Sequence, residues 1–293
     1  MRASLPNCHA SPVTLLAVII CIWLTAPYSP GQTRERIQRP IPLKLFFERI
    51  LQNPSSLPQF EQLHELTLDI GGVRAEDITS ALPAVFAALG SENENVKAYA
   101  CAALFAIAGR PDGTGLLRSR VGLIGQDLLS TREANIRAGE IAILGSLRPS
   151  PPPEVVSIFL DFLKQRDPEL RAQGAGVIFQ LVHIAPEDPR VTEAVREFLT
   201  LPMDKKLKID TVNALGNPQL RDTSITLMVV SLLDDMDTDV RATAIQAITR
   251  MGRHALELAE PALVRLAADS TQPENVTKDA KRALQLLDRM REK

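Results

Sequence analysis

The sequence predicts an all-α chain, a right-handed α-solenoid (superhelix) of helical hairpins stacked side by side. Two observations carry this expectation. In the run Asp237 to Gly252 (DTDVRATAIQAITRMG), apolar or small residues fall at 0, +4, +7, +8 and +11, namely Val240, Ala244, Ala247, Ile248 and Met251. That spacing lines one face of a helix and excludes a strand. The same template recurs with position 0 at Val96, Ile136, Leu170, Leu207 and Val276, so that successive repeats lie 40, 34, 37, 33 and 36 residues apart. A period of that size is the mark of paired-helix repeats.

In chain order, residues 1–31 read as a bacterial secretory signal peptide. Arg2 is the only charge, Val13 to Leu24 is an apolar core, and Ser29 and Gly31 supply small residues ahead of a cleavage expected just before Gln32. The apolar run is shorter than the roughly 20 residues of a membrane span. Retention as an uncleaved anchor stays open, because the positive end is weak and the site is not A-x-A. The expected location is therefore exported, periplasmic or extracellular. Residues 32–42 (QTRERIQRPIP) are charged, bracketed by prolines and read as a flexible tether. Residues 43–72 read as an N-terminal capping hairpin: Leu43 to Gln52 has a wide apolar face of Leu43, Phe46, Phe47, Ile50 and Leu51, and Leu57 to Ile70 forms a second helix without the repeat template.

Residues 73–293 then hold six repeats. Each second helix is preceded by an apolar first helix: Ile78 to Leu89, Val121 to Leu129, Val155 to Leu163, Val191 to Leu199, Ser224 to Leu233 and Leu256 to Ala267. Pro83 and Pro261 sit at nearly the same place in theirs, to be carried in a first turn or as a kink. Asp237 and Asp239 mark a helix start, and Gly252 stands where a left-handed cap is needed. Gly109 to Gly115 (GRPDGTG) and Arg148 to Pro153 (RPSPPP) are loops by composition.

The pattern D-x-x-V-R-x-x-A-x-x-A-L-x-x-I-G resembles the HEAT repeat, in the short form also seen in bilin-lyase-like proteins, and the resemblance covers about residues 76–290. It implies a ladder of hydrogen bonds between neighbouring repeats, made by the acid before position 0 and the base at +1. Here that would involve Asp167 with Arg171, and Asp237 or Asp239 with Arg241; Arg137 and Lys97 hold the same +1 position. Two repeats depart from it, with Lys205 and Lys206 in place of the acid before Leu207 and Thr277 in place of the base after Val276.

The sequence offers no catalytic, cofactor or metal constellation. His64, His183 and His254 lie in different hairpins, and His64-Glu65 begins an HExxH whose second histidine is replaced by Leu68. Asp234, Asp235, Asp237 and Asp239 alternate like a calcium loop, but Val240 stands where the loop glycine belongs and Gln246 where its bidentate Glu belongs. Gly113, Gly115, Gly122 and Gly125 have no preceding strand and no following Lys-Ser or Lys-Thr. Once the leader is gone, Cys101 is the one remaining cysteine and reads as a buried small hydrophobe. The net charge of −2, which becomes −3 without Arg2, implies no nucleic-acid partner.

In such a stack the second helices expose positions +2, +6 and +9 on the concave side. Those residues are small and apolar in the first three repeats, with Phe105 and Phe179, and charged in the last, with Lys278 and Arg282. The expected function is an exported, non-catalytic scaffold that binds a protein or peptide partner. Its candidate partner-binding residues are Phe105, Phe179, Ile209, Ala98, Ala102 and Ala172, lining an apolar groove. The competing reading of the same residues is tight curvature that packs them against adjacent helices and leaves no groove. A lyase-type or glycosylase-type HEAT-like enzyme and a membrane-anchored scaffold of an envelope complex are the alternatives. The first lacks the basic, aromatic-rich lining a glycosylase needs, and a lyase fits poorly with export.

Overall fold

The computed structural model describes residues 42–56, 70–147, 151–218 and 222–292. The expected signal peptide, the tether up to Ile41, the second capping helix up to Asp69 with His64, and residues 148–150 of the RPSPPP stretch lie outside the described residues. Among the described residues every regular element is helical. The chain divides into two compact units, one ending at Val155 and one beginning at Val156.

In the N-terminal unit, helix α1 (Leu43–Gln52) packs on α2 (Ala75–Leu89), which forms a hairpin with α3 (Glu94–Ala108). A short α4 (Gly113–Leu117) and a 3₁₀ turn (Arg118–Arg120) lead to the next hairpin, α5 (Val121–Ser130) with α6 (Ala134–Gly145), and α6 lies directly against α3. The template positions are the core: Val96, Ala100, Ala103, Leu104 and Ile107 are all shut off from solvent, as are Ile136, Ile143 and Leu144. Composition alone reads Gly109 to Gly115 as loop, yet its end is α4. Leu117 is fully buried and Thr114 nearly so, so burial draws this stretch into a turn of helix. Gly113 is required there, because a Cβ would stand 2.2 Å from the Ile107 carbonyl oxygen at the end of α3. Arg110 closes the same corner by donating to the carbonyls of Ile70 (2.7 Å), Gly71 (3.1 Å) and Val73 (2.9 Å) while pairing with Asp112.

Helix α7 (Pro153–Leu163) carries the division between the units. The C-terminal unit continues with α8 (Pro168–Arg171), α9 (Gly174–Ile184), α10 (Pro189–Thr200), α11 (Lys205–Leu215), α12 (Thr223–Ser231), α13 (Thr238–Met251), α14 (Arg253–Ala268) and α15 (Glu274–Arg291). Here the solenoid is plain. The second helices α9, α11, α13 and α15 pack in succession as one layer, and the first helices α10, α12 and α14 pack in succession as the other. Pro83 and Pro261 are each the ninth residue of their helices, α2 and α14, and both are exposed, so their missing N–H falls on the solvent side.

Four second helices start on a side chain three residues before position 0. Asn93, Asp167, Asp204 and Asp237 accept backbone N–H bonds from the first turns of α3, α8, α11 and α13. Each such cap is worth about 1 kcal/mol. Asp204 corrects the expectation that Lys205 and Lys206 leave that repeat without its acid: the acid stands one residue further back.

Gly252 has φ 92° and ψ −160°, whereas Gly109, expected to cap α3 in the same way, has φ −72°. Gly252 joins α13 to α14 with no other residue between them, in a region of backbone space that is essentially glycine-only. A Cβ there would meet nothing within 4 Å, so any cost of replacement is backbone strain alone. Gly252→Ala is therefore expected to destabilise the chain by about 1–3 kcal/mol, read as a lower urea midpoint with an unchanged m-value. An unchanged midpoint would show that the link relaxes freely.

Candidate functional site

In the C-terminal unit the +2, +6 and +9 positions of the second helices form one continuous solvent-facing strip. Ala172, Gly176 and Phe179 are exposed; Ile209, Asn213 and Gly216 are exposed or half-buried; so are Ala242, Gln246 and Thr249; and Lys278, Arg282 and Gln285 are exposed. Because α9, α11, α13 and α15 lie side by side, these twelve residues run from an apolar end at Phe179, through neutral polar residues, to a cationic end at Lys278 and Arg282. No carboxylate stands among them.

Phe179 is held as well as exposed. It keeps 38% of its surface in solvent, and the His183 ring one turn on lies 4.3 Å from its own, centroid to centroid, while His183 Nδ1 bonds the Phe179 carbonyl at 2.6 Å. A fixed aromatic with a free face loses little entropy when a partner covers it. Further along, Arg250 lies over Gly216 and donates to the Asn213 side-chain oxygen at 3.1 Å. That adds a cation to the middle of the strip.

The N-terminal unit is different and corrects part of the expectation. Ala98 and Ala102 are 3% and 5% exposed, so neither faces a partner; Ala142 and Gly145 are buried too, and Phe105 is half-buried. The sequence ENVKAYACAALFAIA is apolar or small almost all round, the pattern of a helix buried on every side. Small side chains on α3 and α6 allow the close approach that shuts this face. Of the six candidate residues, Phe179, Ile209 and Ala172 share the strip of the C-terminal unit, and Phe105 lies in the other unit.

The ladder residues are engaged, though not in the pairing the resemblance implies. Asp167 and Asp237 cap their own helices. Arg137 donates to the Thr131 carbonyl at 3.0 Å, and Arg241 to the carbonyls of Asp235 and Met236 at 2.7 and 3.1 Å, so both brace the loop before their own helix. That loop folds back within one guanidinium's reach of position +1, and its carbonyls need donors. Arg171 reaches the next repeat, donating to the Pro202 carbonyl. Lysines make further cross-repeat links: Lys97 to Asp127 (3.3 Å), Lys208 to Asp235 (2.7 Å), and Lys205 to both Asp237 (2.9 Å) and Asp239 (2.6 Å). The repeat expected to break the ladder thus joins it with the charges reversed.

One group escaped the sequence reading. Glu140 on α6 is fully buried, and neither carboxyl oxygen accepts a bond from any N–H or hydroxyl donor among the described residues. Burial pushes its carboxyl up to about 10, the neighbouring Asp127 carboxyl adds to the rise, and Lys97 and Arg137 oppose it. Two ionised carboxylates cannot bond each other, so the pair gains a hydrogen bond only when Glu140 carries a proton and donates it to Asp127. The signal was available: Glu140 sits at +4, a core position held by Ala100, Gly174, Thr211, Ala244 and Ala280 in the other repeats. Cys101, next to this cluster, is buried, and burial and then Glu140 push its thiol well above the ordinary range. A thiol kept protonated is a poor nucleophile.

No group of three or more His, Cys, Asp or Glu among the described residues is placed to hold a metal, and no described helix is long and apolar enough to cross a membrane.

No family model matches the chain, and no curated protein matches it in sequence. Solved structures similar to it include the archaeal HEAT-like repeats protein from Thermococcus onnurineus NA1, at 17% identity, with 78% of this chain and 97% of that one covered and a TM-score of 0.44. A designed armadillo repeat protein in complex with the peptide (KR)4 is similar at 18% identity, over 84% of this chain and 99% of that one, with a TM-score of 0.40. Another designed armadillo repeat protein is similar at 19% identity, over 82% and 99%, with a TM-score of 0.37.

Proposed function

We propose that this all-α array of HEAT-like hairpins is an exported, non-catalytic scaffold that holds a peptide or protein segment across the second helices of its C-terminal unit. The observation that carries the reading is the strip itself: twelve positions on four adjacent helices and at their ends, exposed or half-buried, free of carboxylates and headed by the fixed, exposed Phe179. Aromatic anchors of this kind dominate binding energy where they are found at interfaces. Export rests on the leader sequence, and mass spectrometry of the N-terminus tests it. A chain starting near Gln32 is expected, and an intact Met1 would instead leave the scaffold anchored at the membrane.

Phe179→Asp tests the strip. At an exposed position the change should cost no more than about 1 kcal/mol of stability, while a carboxylate in place of the anchor should weaken partner capture from an envelope fraction at least tenfold. Retention of every partner by a variant with unchanged helicity and melting temperature would remove the strip as the binding surface.

A further inference from the structure

The cationic end of the strip is a hollow of about 560 Å³. Lys278, Lys281 and Arg282 line it, against one carboxylate, Glu274. Elsewhere in the unit cations are mostly neutralised by carboxylates: Lys205 by Asp237 and Asp239, Lys208 by Asp235, Arg265 by Asp234, Arg291 by Glu260. Lys278 and Lys281 have no such partner among the described residues, and Arg282 reaches Asp279 only at 3.6 Å. Unpaired cations gathered round a hollow hold a positive potential that the rest of the unit cancels.

We propose that this hollow receives the acidic part of a peptide segment, two or more carboxylates in sequence, from the partner that lies along the strip. The inference rests on the scaffold reading and sharpens it by naming the chemistry of the occupant. Charge complementarity selects carboxylates, and Ser270, Thr277 and Gln285 in the same lining add donors for their remaining oxygens. The volume falls in the range of about 300–1,000 Å³ found for ligand pockets, far beyond a single ion. Nucleic acid fits poorly, since no aromatic residue lines the hollow to stack a base and the whole chain is net negative. The layer from α9 to α15 makes three helix-to-helix steps of about 9 Å each. About eight extended residues at about 3.4 Å each span that distance, so one short segment can set an apolar side chain over Phe179 and its carboxylates in the hollow.

The test uses the full chain and fluorescein-labelled hexaglutamate, followed by anisotropy. Hexaglutamate is expected to bind saturably and hexalysine not at all. Raising salt from 50 to 200 mM should weaken binding several-fold, and Lys278→Glu with Lys281→Glu should weaken it at least tenfold. A charge-matched control, Lys206→Glu with Arg166→Glu, should bind as the parent does. Hexaglutamate carries no apolar side chain for Phe179 to anchor, so its binding reads the hollow by itself, and failure here is distinguishable from failure of the strip. Equal binding by the hollow variant and the parent would overturn the inference. So would competition by inorganic phosphate as effective as by the peptide, or binding confined to phosphatidylglycerol vesicles.

Discussion

Glu140→Gln is expected to stabilise the protein at neutral and alkaline pH and to remove most of a pH dependence that the parent shows. The sign follows from the buried acid. Its folded-state value, about 10, stands above the ordinary 4.5, so the folded chain keeps a proton that the unfolded chain releases. The favourable contribution of the protonated pair is fully present below pH about 4.5 and is lost as pH climbs towards 10, by up to about 1.4 kcal/mol per pH unit. Glutamine mimics the protonated acid, since its amide can donate to Asp127 and has no charge to develop. Melting temperatures of the two proteins should nearly coincide at pH 4.5 and separate by several degrees at pH 8, with the variant higher. Groups of opposite sign, such as Asp269, held down to about 2 by hydrogen bonds from Thr271 and Gln272, titrate alike in both proteins and cancel in the comparison. Parallel profiles across that range would show that Glu140 is ionised in the folded chain.

Gly174→Ala carries the second large effect. A Cβ at Gly174 would stand 2.3 Å from Phe198 Cζ and 2.5 Å from Cε2, and Phe198 is a fully buried ring on α10 with nowhere to retreat. Alanine normally favours a helix over glycine by about 1 kcal/mol. Overpacking costs about 1–3 kcal/mol and wins here because the methyl meets the ring well inside contact distance. We expect a net loss of about 2 kcal/mol, near 5 °C in melting temperature. The diagnostic measurement is a cycle with Phe198→Leu: in that background Gly174→Ala should cost nothing or stabilise. The same loss in both backgrounds would place the strain somewhere other than against Phe198.

These residues also show what the sequence could and could not reveal. The helical period and the repeat spacing were legible because they are local, and so were most starts and stops: Asp237 caps α13, and Gly252 has a positive φ, although its ψ of −160° lies outside the left-handed cap expected there. The open strip of the C-terminal unit was legible for the same reason, since exposure at +2, +6 and +9 follows from the geometry of one helix layer. It failed for Ala98 and Ala102 because the rule was carried to α3, whose all-round apolar sequence already marked it as interior. Glu140 was visible as an acid at a core position and was passed over. Gly174 was not legible in this way. Its need for glycine comes from Phe198, 24 residues on and in another helix, and the lysine links depend likewise on contacts between repeats. The candidate lining positions divide unit by unit: buried where α3 meets α6, exposed or half-buried along α9, α11, α13 and α15.

The most direct measurement of the central claim is site-specific photo-crosslinking in cells that produce the protein. One chain carries p-benzoylphenylalanine in place of Gln246, in the middle of the strip, and the other in place of Leu227, exposed on the first-helix layer. A partner crosslinked from Gln246, absent from Leu227 and reduced when Lys278→Glu and Lys281→Glu are added, is the result expected here. A partner captured equally from both positions, or from Leu227 alone, would contradict the account.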